Sequence, residues 1–362
     1  MEKQKKDLLY FDVMQMNDVR DQIEKILKEQ SEKQNYHFDL PRILYKYCKF
    51  ADYTISGLEK CTITFTPIEL LNDMFDSSIN IVADEREIEA DIDSFFTRLH
   101  NLKLGCYVNH YVNHCKNSIV EGYKKSINRK YKDLFDLLPY LGARVACLTN
   151  INNSPLMWSH YANSNQGLCI AYDFGKLERN SKISKMIFPV LYSDKPIDLH
   201  KYFDDKNNND YNFKIEIAIT IAVLSKAIYW NYENEWRIID ISKNDDEKGK
   251  HISLDIGVKP CGVYMGYHFF KNFIINENDD TYEKQYNRLK DSLALTDRIF
   301  NLCESNSIPL YAIDYEFGTY NLIPKRMSAK KLRYFFKSEI IRPVEYRFYH
   351  SLHDSFLRCF DT

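Results

Sequence analysis

Glutamate and arginine residues recur at every second position within the stretch Tyr229–Ile239. If this stretch is a β-strand, Glu233, Glu235 and Arg237 share one face, because side chains alternate between the two faces of a strand. Two carboxylates and a guanidinium in a row form either a salt-bridge ladder within a sheet or an acid pair directed into a cleft. Lys226 lies close enough along the chain to join either arrangement.

Aromatic side chains and a histidine lie together in the stretch Ser154–Phe174. It begins with a Ser-Pro pair that is typical of a helix start, which predicts a short helix. A polar turn follows, and the apolar run Gly167–Phe174 predicts a buried strand. Trp158, His160 and Tyr161 therefore precede a strand, at a position where side chains line a pocket. Packing of these rings in the core is the alternative explanation.

A short turn, Leu71–Asp76, adds two carboxylates and an amide. Asn72, Asp73 and Asp76 either form a structural hydrogen-bond network or line a polar site. These polar groups and the Trp158–Tyr161 segment are poorly explained by core packing. We therefore expect them to lie near each other and to line a common cleft.

Apolar periodicity predicts the elements that must position these residues. The predicted strands are Ile43–Tyr47, Cys61–Thr66, Leu141–Thr149, Gly167–Phe174, Ile187–Tyr192, Tyr229–Ile239, two between Ile252 and Tyr267, and, as the last, Leu310–Tyr315. The predicted helices are Val19–Lys33, Ser56–Lys60, Asp84–Lys132, Glu216–Tyr229 and Glu283–Ser305. The fold class is therefore α+β, with a mixed, strongly bent sheet flanked by helices. Its strands should include the segments that contain Tyr45, Cys147, Cys169 and Trp236.

The domain organisation follows from where these patterns begin and end. Residues 1–39 form an N-terminal helical segment, and residues 40–325 form the main α+β domain. Residues 326–362 are rich in basic and aromatic side chains. They are predicted to form a packed C-terminal extension, with contact to nucleic acid or a partner as the alternative.

Composition excludes several classes of protein. The net charge of −2 gives no global attraction for nucleic acid, so any such contact needs a local basic patch. The nine cysteines are an odd number without a CxxC pair, and they read as reduced core thiols rather than disulfides or zinc ligands. No apolar run is long enough for a membrane span and the N-terminus lacks a signal peptide, which predicts a cytoplasmic protein with no membrane contact.

The common catalytic motifs are absent. The chain has no P-loop, GxGxxG, GxSxG or HExxH, so kinase, Rossmann, hydrolase and zinc-protease readings lose support. His110 and His114 have the spacing of two metal ligands on one helix, but Tyr111 stands where the motif needs glutamate. A solvent-exposed helix face is the simpler explanation, and no metal site is predicted.

Several spaced segments together resemble one family. They are LMWSHYA and GLCIAYDF within Leu156–Phe174, LYKY at Leu44–Tyr47, NDMFD at Asn72–Asp76, YENEWRI at Tyr232–Ile238, VYMGY at Val263–Tyr267 and IPLYAIDYE at Ile308–Glu316. Over about Leu40–Pro324 the chain resembles the uncharacterised bacterial family called domain of unknown function twenty-nine seventy-one. This resemblance says little about activity.

The order of the polar motifs is also similar to that of ADP-ribosyltransferases, which use NAD. That resemblance implies that Glu235 is the catalytic carboxylate and that Glu233 orients the acceptor. It implies that Tyr161 stacks on nicotinamide and that Lys46 or Tyr47 holds the ribose or the amide. The remaining residues expected around NAD are Asn72, Asp73, Asp76, Trp158, His160 and Arg237. The early strand lacks the His or Arg usual in those enzymes.

The resemblance implies a toxin-like effector of bacterial or anti-phage defence. Its expected partners are a macromolecular acceptor, either protein or nucleic acid, and a regulatory protein of a defence system. One alternative is a metal-dependent nuclease that uses Asp73, Asp76, Glu233 and Glu235, because clustered carboxylates hold divalent ions. Another is a non-catalytic module that binds a nucleotide or a partner. Whether the protein is an enzyme stays open at this point.

Overall fold

A computed structural model describes residues 15–31, 39–73, 76, 79–80, 143–178, 181–194, 197–198, 217, 220–241, 249–273 and 282–335. Its α-helices are α1 (Gln15–Ser31), α2 (Asp52–Glu59), α3 (Pro155–Tyr161), α4 (Lys182–Met186), α5 (Tyr282–Ser305) and α6 (Ala329–Phe335). Its first strands are β1 (Ile43–Cys48), β2 (Thr62–Pro67), β3 (Ile79–Asn80), β4 (Ala143–Thr149), β5 (Leu168–Asp173), β6 (Ile187–Pro189) and β7 (Leu191–Ser193). The others are β8 (Ile197–Asp198), β9 (Ser225–Ala227), β10 (Glu235–Ile241), β11 (Ile252–Asp255), β12 (Pro260–Met265), β13 (Leu310–Tyr315) and β14 (Leu322–Met327).

Ten of these strands form one open sheet. Its main path runs β11-β2-β4-β1-β5-β12-β13-β14, and β10 pairs with both β4 and β6. Neighbours are antiparallel except β12 and β13, which are parallel. The mixed sheet with flanking helices confirms the predicted α+β class, and all four marker residues, Tyr45, Cys147, Cys169 and Trp236, lie in strands.

Strand β4 lies where the sheet divides. On one edge, β10 pairs with β4 along its whole length. On the other edge, β1 meets it where Tyr45 lies opposite Thr149, and β2 meets it near Thr66, which lies opposite Val145. Between these two meeting points the sheet opens beside Cys147, and a cavity occupies the opening.

The two faces of the sheet carry different clusters. Alternate residues of β5 separate them, because Leu168 and Ile170 join the main apolar core, whereas Cys169 and Ala171 join a smaller cluster around Trp158. Helices α2 and α5 cover the main core. Tyr45 and Tyr47 lie on one face of β1, since both contact the smaller cluster.

Helix α3 is held at both ends by features that the sequence shows. The Ser154 hydroxyl accepts a hydrogen bond from the Met157 amide at 3.3 Å, and Pro155 occupies the first turn, as predicted. After the helix, a Cβ on Gly167 would lie 2.3 Å from the Cys48 carbonyl oxygen, so only glycine fits there. This close approach sets the start of β5 against the end of β1.

Four of the predicted elements differ in kind or number from those of the structure. Tyr229–Ile239 is not one strand: a 3-10 helix covers Ile228–Glu233, and β10 begins at Glu235. Between them Asn234 has φ +43°, a left-handed conformation that asparagine tolerates better than most residues. The helix predicted over 216–229 gives way to β9, because Ser225–Ala227 pairs in parallel with β7.

The other two corrections also concern pairing. Ile187–Tyr192 is two strands rather than one, since β6 pairs with β10 and β7 pairs with β9. Strand β13 is not the last strand, because β14 returns beside it. Strand β14 crosses the predicted boundary between residues 325 and 326, and α6 buries Leu332 and Phe335. The division of the chain into three segments stays a prediction.

Some predictions fall outside the described residues, including the helix over 84–132 with His110 and His114. Within the described ranges, no helix combines the length and apolar character needed to cross a bilayer.

Candidate functional site

The opening beside β4 is a cavity of about 840 Å³. Its walls come from β1, β2, β4, β5, β9, β10, β11, α2 and α3, and from Asn72 and Asp76. Its volume lies within the range of about 300–1,000 Å³ that small-molecule and cofactor sites occupy. The charged and histidine side chains that line it are Lys46, Lys49, Asp76, His160, Lys226, Glu233, Glu235, Arg237 and His251.

Five of these groups form a buried network, the charged floor, made of Asp76, Lys226, Glu233, Glu235 and Arg237. Each of these side chains is at most 5% exposed. The Lys226 ammonium donates to Glu233 Oε2 at 2.5 Å and to Glu235 Oε2 at 2.9 Å, and it lies 3.9 Å from Asp76 Oδ2. Lys226 therefore joins all three carboxylates.

Arg237 holds the other side of the charged floor. Its Nη1 and Nη2 donate to the two carboxylate oxygens of Asp76, each at 2.7 Å, in a bidentate pair. Its Nε donates to Glu235 Oε1 at 2.9 Å, and Nη1 also donates to the Val223 carbonyl oxygen at 2.6 Å. Arg237 thereby ties the 72–76 turn to β10.

Hydroxyl groups from three elements fix the two glutamates. The Tyr161 hydroxyl donates to Glu233 Oε1, and the Thr149 hydroxyl donates to the Glu233 carbonyl oxygen at 2.6 Å. The Glu235 amide donates to the Tyr192 hydroxyl at 2.9 Å. Because β4, α3, β7 and β10 all contribute, the site exists only in the folded chain.

The pKa values of Glu233 and Glu235 are shifted in opposite directions. For Glu235, burial alone would raise the pKa, but the nearby charges of Arg237 and Lys226 outweigh it and hold the pKa well below its ordinary value. For Glu233, burial raises the pKa, Lys226 opposes that shift and Glu235 adds to it, so the net pKa is raised. Burial lowers the pKa of Lys226, yet the surrounding carboxylates raise it overall. The pKa of Glu235 is thus lowered and that of Glu233 is raised, although the same lysine contacts both carboxylates.

Above the charged floor, the cavity wall is aromatic and hydroxylic. The further side chains that line it include Tyr45, Tyr47, Tyr53, Tyr161, Thr62, Thr64, Thr66 and Ser253. Thr62, Thr64 and Thr66 alternate with apolar residues along β2, and their polar face forms part of this wall. Threonine and serine hydroxyls both donate and accept hydrogen bonds, and tyrosine rings stack on planar ligands.

Most of the residues predicted to form a site lie in this one cavity. They are Lys46, Tyr47, Asn72, Asp76, His160, Tyr161, Glu233, Glu235 and Arg237. The expected cleft shared by the 72–76 turn and α3 is therefore present. Trp158 and Asp73 are not part of its lining: Trp158 is fully buried behind it, with its ring edge-on to Tyr47 and its indole nitrogen donating to the Asn152 carbonyl oxygen.

The same-face prediction for Glu233, Glu235 and Arg237 is correct in outcome but not in cause. Glu235 and Arg237 share a face of β10, whereas Glu233 ends the preceding 3-10 helix and reaches the cluster through the turn at Asn234. Sequence reasoning missed Thr149, Tyr192 and Lys49. Tyr192 gives no local signal, because only the tertiary structure brings its hydroxyl to the Glu235 amide, 43 residues further along the chain.

The carboxylates are engaged with cations. Asp76, Glu233 and Glu235 each contact Lys226 or Arg237, so a divalent ion bound by these three would compete with both. In the part of the chain that the structure describes, no three His, Cys, Asp or Glu side chains are arranged as ligands of one metal ion.

Comparison with curated proteins and with solved structures finds no match. One family model does match, over residues 157–238. That range contains four of the five residues of the charged floor, all except Asp76, and also Tyr161. The matching family is described as protein of unknown function (DUF2971), and this confirms the resemblance seen in the LMWSHYA and YENEWRI segments.

Proposed function

We propose that this chain is an NAD-dependent ADP-ribosyltransferase-like effector that transfers ADP-ribose from NAD to a protein or nucleic acid. The observation that carries the proposal is the pair Glu233 and Glu235, which share Lys226 at the base of a cavity large enough for a nucleotide. Their pKa values are shifted in opposite directions. The similar order of motifs in ADP-ribosyltransferases supplies the reaction class.

The chemistry has a defined need for these groups. The bond between nicotinamide and ribose breaks, nicotinamide leaves with the electron pair, and positive charge develops on the ribose. A fixed anion near that ribose stabilises the transition state. The acceptor then bonds to the ribose carbon and loses a proton, which a base with a raised pKa can take.

The contacts support a division of roles between the glutamates. Glu235 stays ionised and provides the anion, while Arg237 and Lys226 hold its orientation. Glu233 takes the acceptor proton, and the Tyr161 hydroxyl positions its carboxylate. Lys46, Tyr47, Asn72 and His160 line the same cavity and are available to the rest of NAD. Tyr161 stacking on nicotinamide remains a prediction of the resemblance.

The biological role follows from the proposed class of enzyme. A transferase of this kind acts as a toxin in the bacterial cytoplasm, under control of a regulatory protein of an anti-phage defence system. We expect expression of the wild type to slow bacterial growth. Normal growth at high soluble expression, also during phage infection, would count against a toxin.

The direct test incubates the purified chain with labelled NAD and with bacterial protein and RNA, in the presence of EDTA. Label should pass to one of the two pools. Glu235→Gln should reduce turnover by about a hundredfold, about 2.7 kcal/mol. Glu59→Gln removes another arginine-paired glutamate, one outside the cavity lining, and serves as the control.

A metal-dependent nuclease is the alternative that the clustered carboxylates suggested in the sequence, but Asp76, Glu233 and Glu235 are paired with Lys226 or Arg237 in the structure. EDTA separates the two, because a nuclease would lose activity and a transferase would not. If calorimetry detects no NAD binding and Glu235→Gln leaves toxicity unchanged, the transferase reading is wrong and a non-catalytic binding module is favoured.

A further inference from the structure

Charge is unevenly distributed over the cavity wall. The three carboxylates among its lining residues all belong to the charged floor. Apart from the charged floor, the charged and histidine side chains of the lining are two lysines, Lys46 and Lys49, and two histidines, His160 and His251. No other described residue of the lining is a carboxylate. The cavity therefore has an acidic, compensated base and a basic outer wall.

The two outer lysines are held differently from Lys226. Lys46 is half-buried on β1, and its ammonium lies 3.4 Å from the Cys147 carbonyl oxygen, a long contact with a neutral acceptor. Lys49 is exposed just beyond β1. Within the described ranges neither forms an ion pair, whereas Lys226 contacts three carboxylates. Ammonium groups in a cavity wall without anionic partners attract an anionic ligand.

Hydroxyl groups continue this basic wall towards β11. Thr64 Oγ1 and Ser253 Oγ lie 3.4 Å apart across β2 and β11, and Thr62 and Thr66 extend the row. Such hydroxyls hydrogen-bond phosphate and ribose oxygens equally well, because each can donate or accept. The wall therefore suits a ligand that carries both groups.

We infer that Lys46 and Lys49 form a phosphate subsite that fixes the direction in which a nucleotide enters the cavity. The phosphates lie against the lysines, and the reacting ribose reaches the charged floor. The reverse orientation would place phosphate oxygens beside Asp76, Glu233 and Glu235. The identification of the ligand as NAD rests on the proposed function, but the subsite needs only a phosphorylated ribose.

Calorimetric titration with ADP-ribose tests the subsite, because this probe carries the pyrophosphate but has no nicotinamide to lose. Lys46→Gln and Lys49→Gln should each weaken the binding of ADP-ribose by about tenfold. Added salt should reduce the difference in affinity between each variant and the wild type. Lys60→Gln, an exposed lysine at the end of α2 outside the cavity lining, should leave affinity unchanged. Nicotinamide riboside, which lacks phosphate, should bind Lys49→Gln and Lys60→Gln with the same affinity as the wild type.

The outcomes separate this inference from the proposed function. ADP-ribose binding that depends on Lys46 and Lys49, without NAD turnover, keeps the subsite and removes the transferase. NAD turnover with an unchanged KM in both lysine variants keeps the transferase and overturns the subsite. No binding of ADP-ribose or NAD by the folded wild type overturns both.

Discussion

Two arginines of this protein make nearly the same contacts in different surroundings. Arg298 on α5 lies 2.5 Å from an oxygen of Asp52, 2.7 Å from one of Glu59, and is 34% exposed. Arg237 lies 2.7 Å from Asp76 and 2.9 Å from Glu235, and is fully buried. Judged by distance alone, the two networks are equivalent.

Burial makes them different in energy and in purpose. Exposed ion pairs contribute about 0–1 kcal/mol, because water and salt screen them. Buried charges must give up their hydration, and apolar residues of similar volume often stabilise such a position as well or better. The buried network of five ionisable side chains is therefore weak evidence for stability, and the following predictions test this contrast.

The largest effect is expected for Arg237→Met. It leaves the buried carboxylates of Asp76 and Glu235 short of compensating charge, which should lower the free energy of unfolding by about 3–5 kcal/mol. Arg298→Met should lower it by about 1 kcal/mol or less. Urea unfolding of both variants measures the difference, and equal losses would show that burial does not distinguish the two networks.

Acid stability should depend on Glu235 more than on Glu59. The pKa of each is lowered in the folded protein from an ordinary value of 4.5, so the folded state binds fewer protons than the unfolded chain near that pH. The linked stability is complete above about pH 4.5 and is lost as pH falls through the folded pKa.

Glu235→Gln should therefore flatten the fall in unfolding free energy between about pH 5 and pH 3, whereas Glu59→Gln should change it little. Unfolding curves across that range give the comparison. A steep acid loss that persists in Glu235→Gln would mean that other groups dominate.

A moderate effect is expected for Tyr161→Phe, which removes the hydroxyl bonded to Glu233. NAD turnover should fall about tenfold, because the carboxylate loses one of its positioning contacts. Burial already raises the pKa of Glu233, and the Tyr161 hydrogen bond opposes that shift. Its loss should move the acid limb of the pH–rate profile to higher pH.

Tyr229→Phe is the matched control for this change, because Tyr229 is 85% exposed and lies outside the cavity lining. It should leave both the rate and the pH profile unchanged. A lower rate in Tyr161→Phe with an unmoved pH profile would indicate that the hydroxyl does not act through Glu233.

The smallest effect concerns salt. At about 1 M salt the screening length is about 3 Å, so the modest cost of Arg298→Met should largely disappear. The cost of Arg237→Met should persist, since buried pairs are screened much less. Urea unfolding of both variants and the wild type at low salt and at about 1 M salt provides the measurement. An equal change with salt in the two unfolding free-energy losses would contradict the difference between the buried and the exposed network.

Much of the fold could be predicted because its signals are local. The threonine alternation of β2, the Ser-Pro start of α3 and the apolar run of β5 each act within a few residues. The errors arose where pairing partners decide the structure. Ser225–Ala227 reads as part of a helix but becomes a strand because β7 pairs with it.

The sequence by itself determined the types of group in the site, their order and the α+β class. Carboxylates, cations and tyrosines are chemical facts of the chain, and alternation places Glu235 and Arg237 on one face. Only the tertiary structure decided that Asp76, 161 residues from Arg237, accepts hydrogen bonds from its guanidinium. The same holds for the contacts of Lys226 with the carboxylates of Asp76, Glu233 and Glu235. Acidity depends on burial and on charges brought from distant segments, so the opposite pKa shifts of Glu233 and Glu235 arise only when the sheet divides around β4.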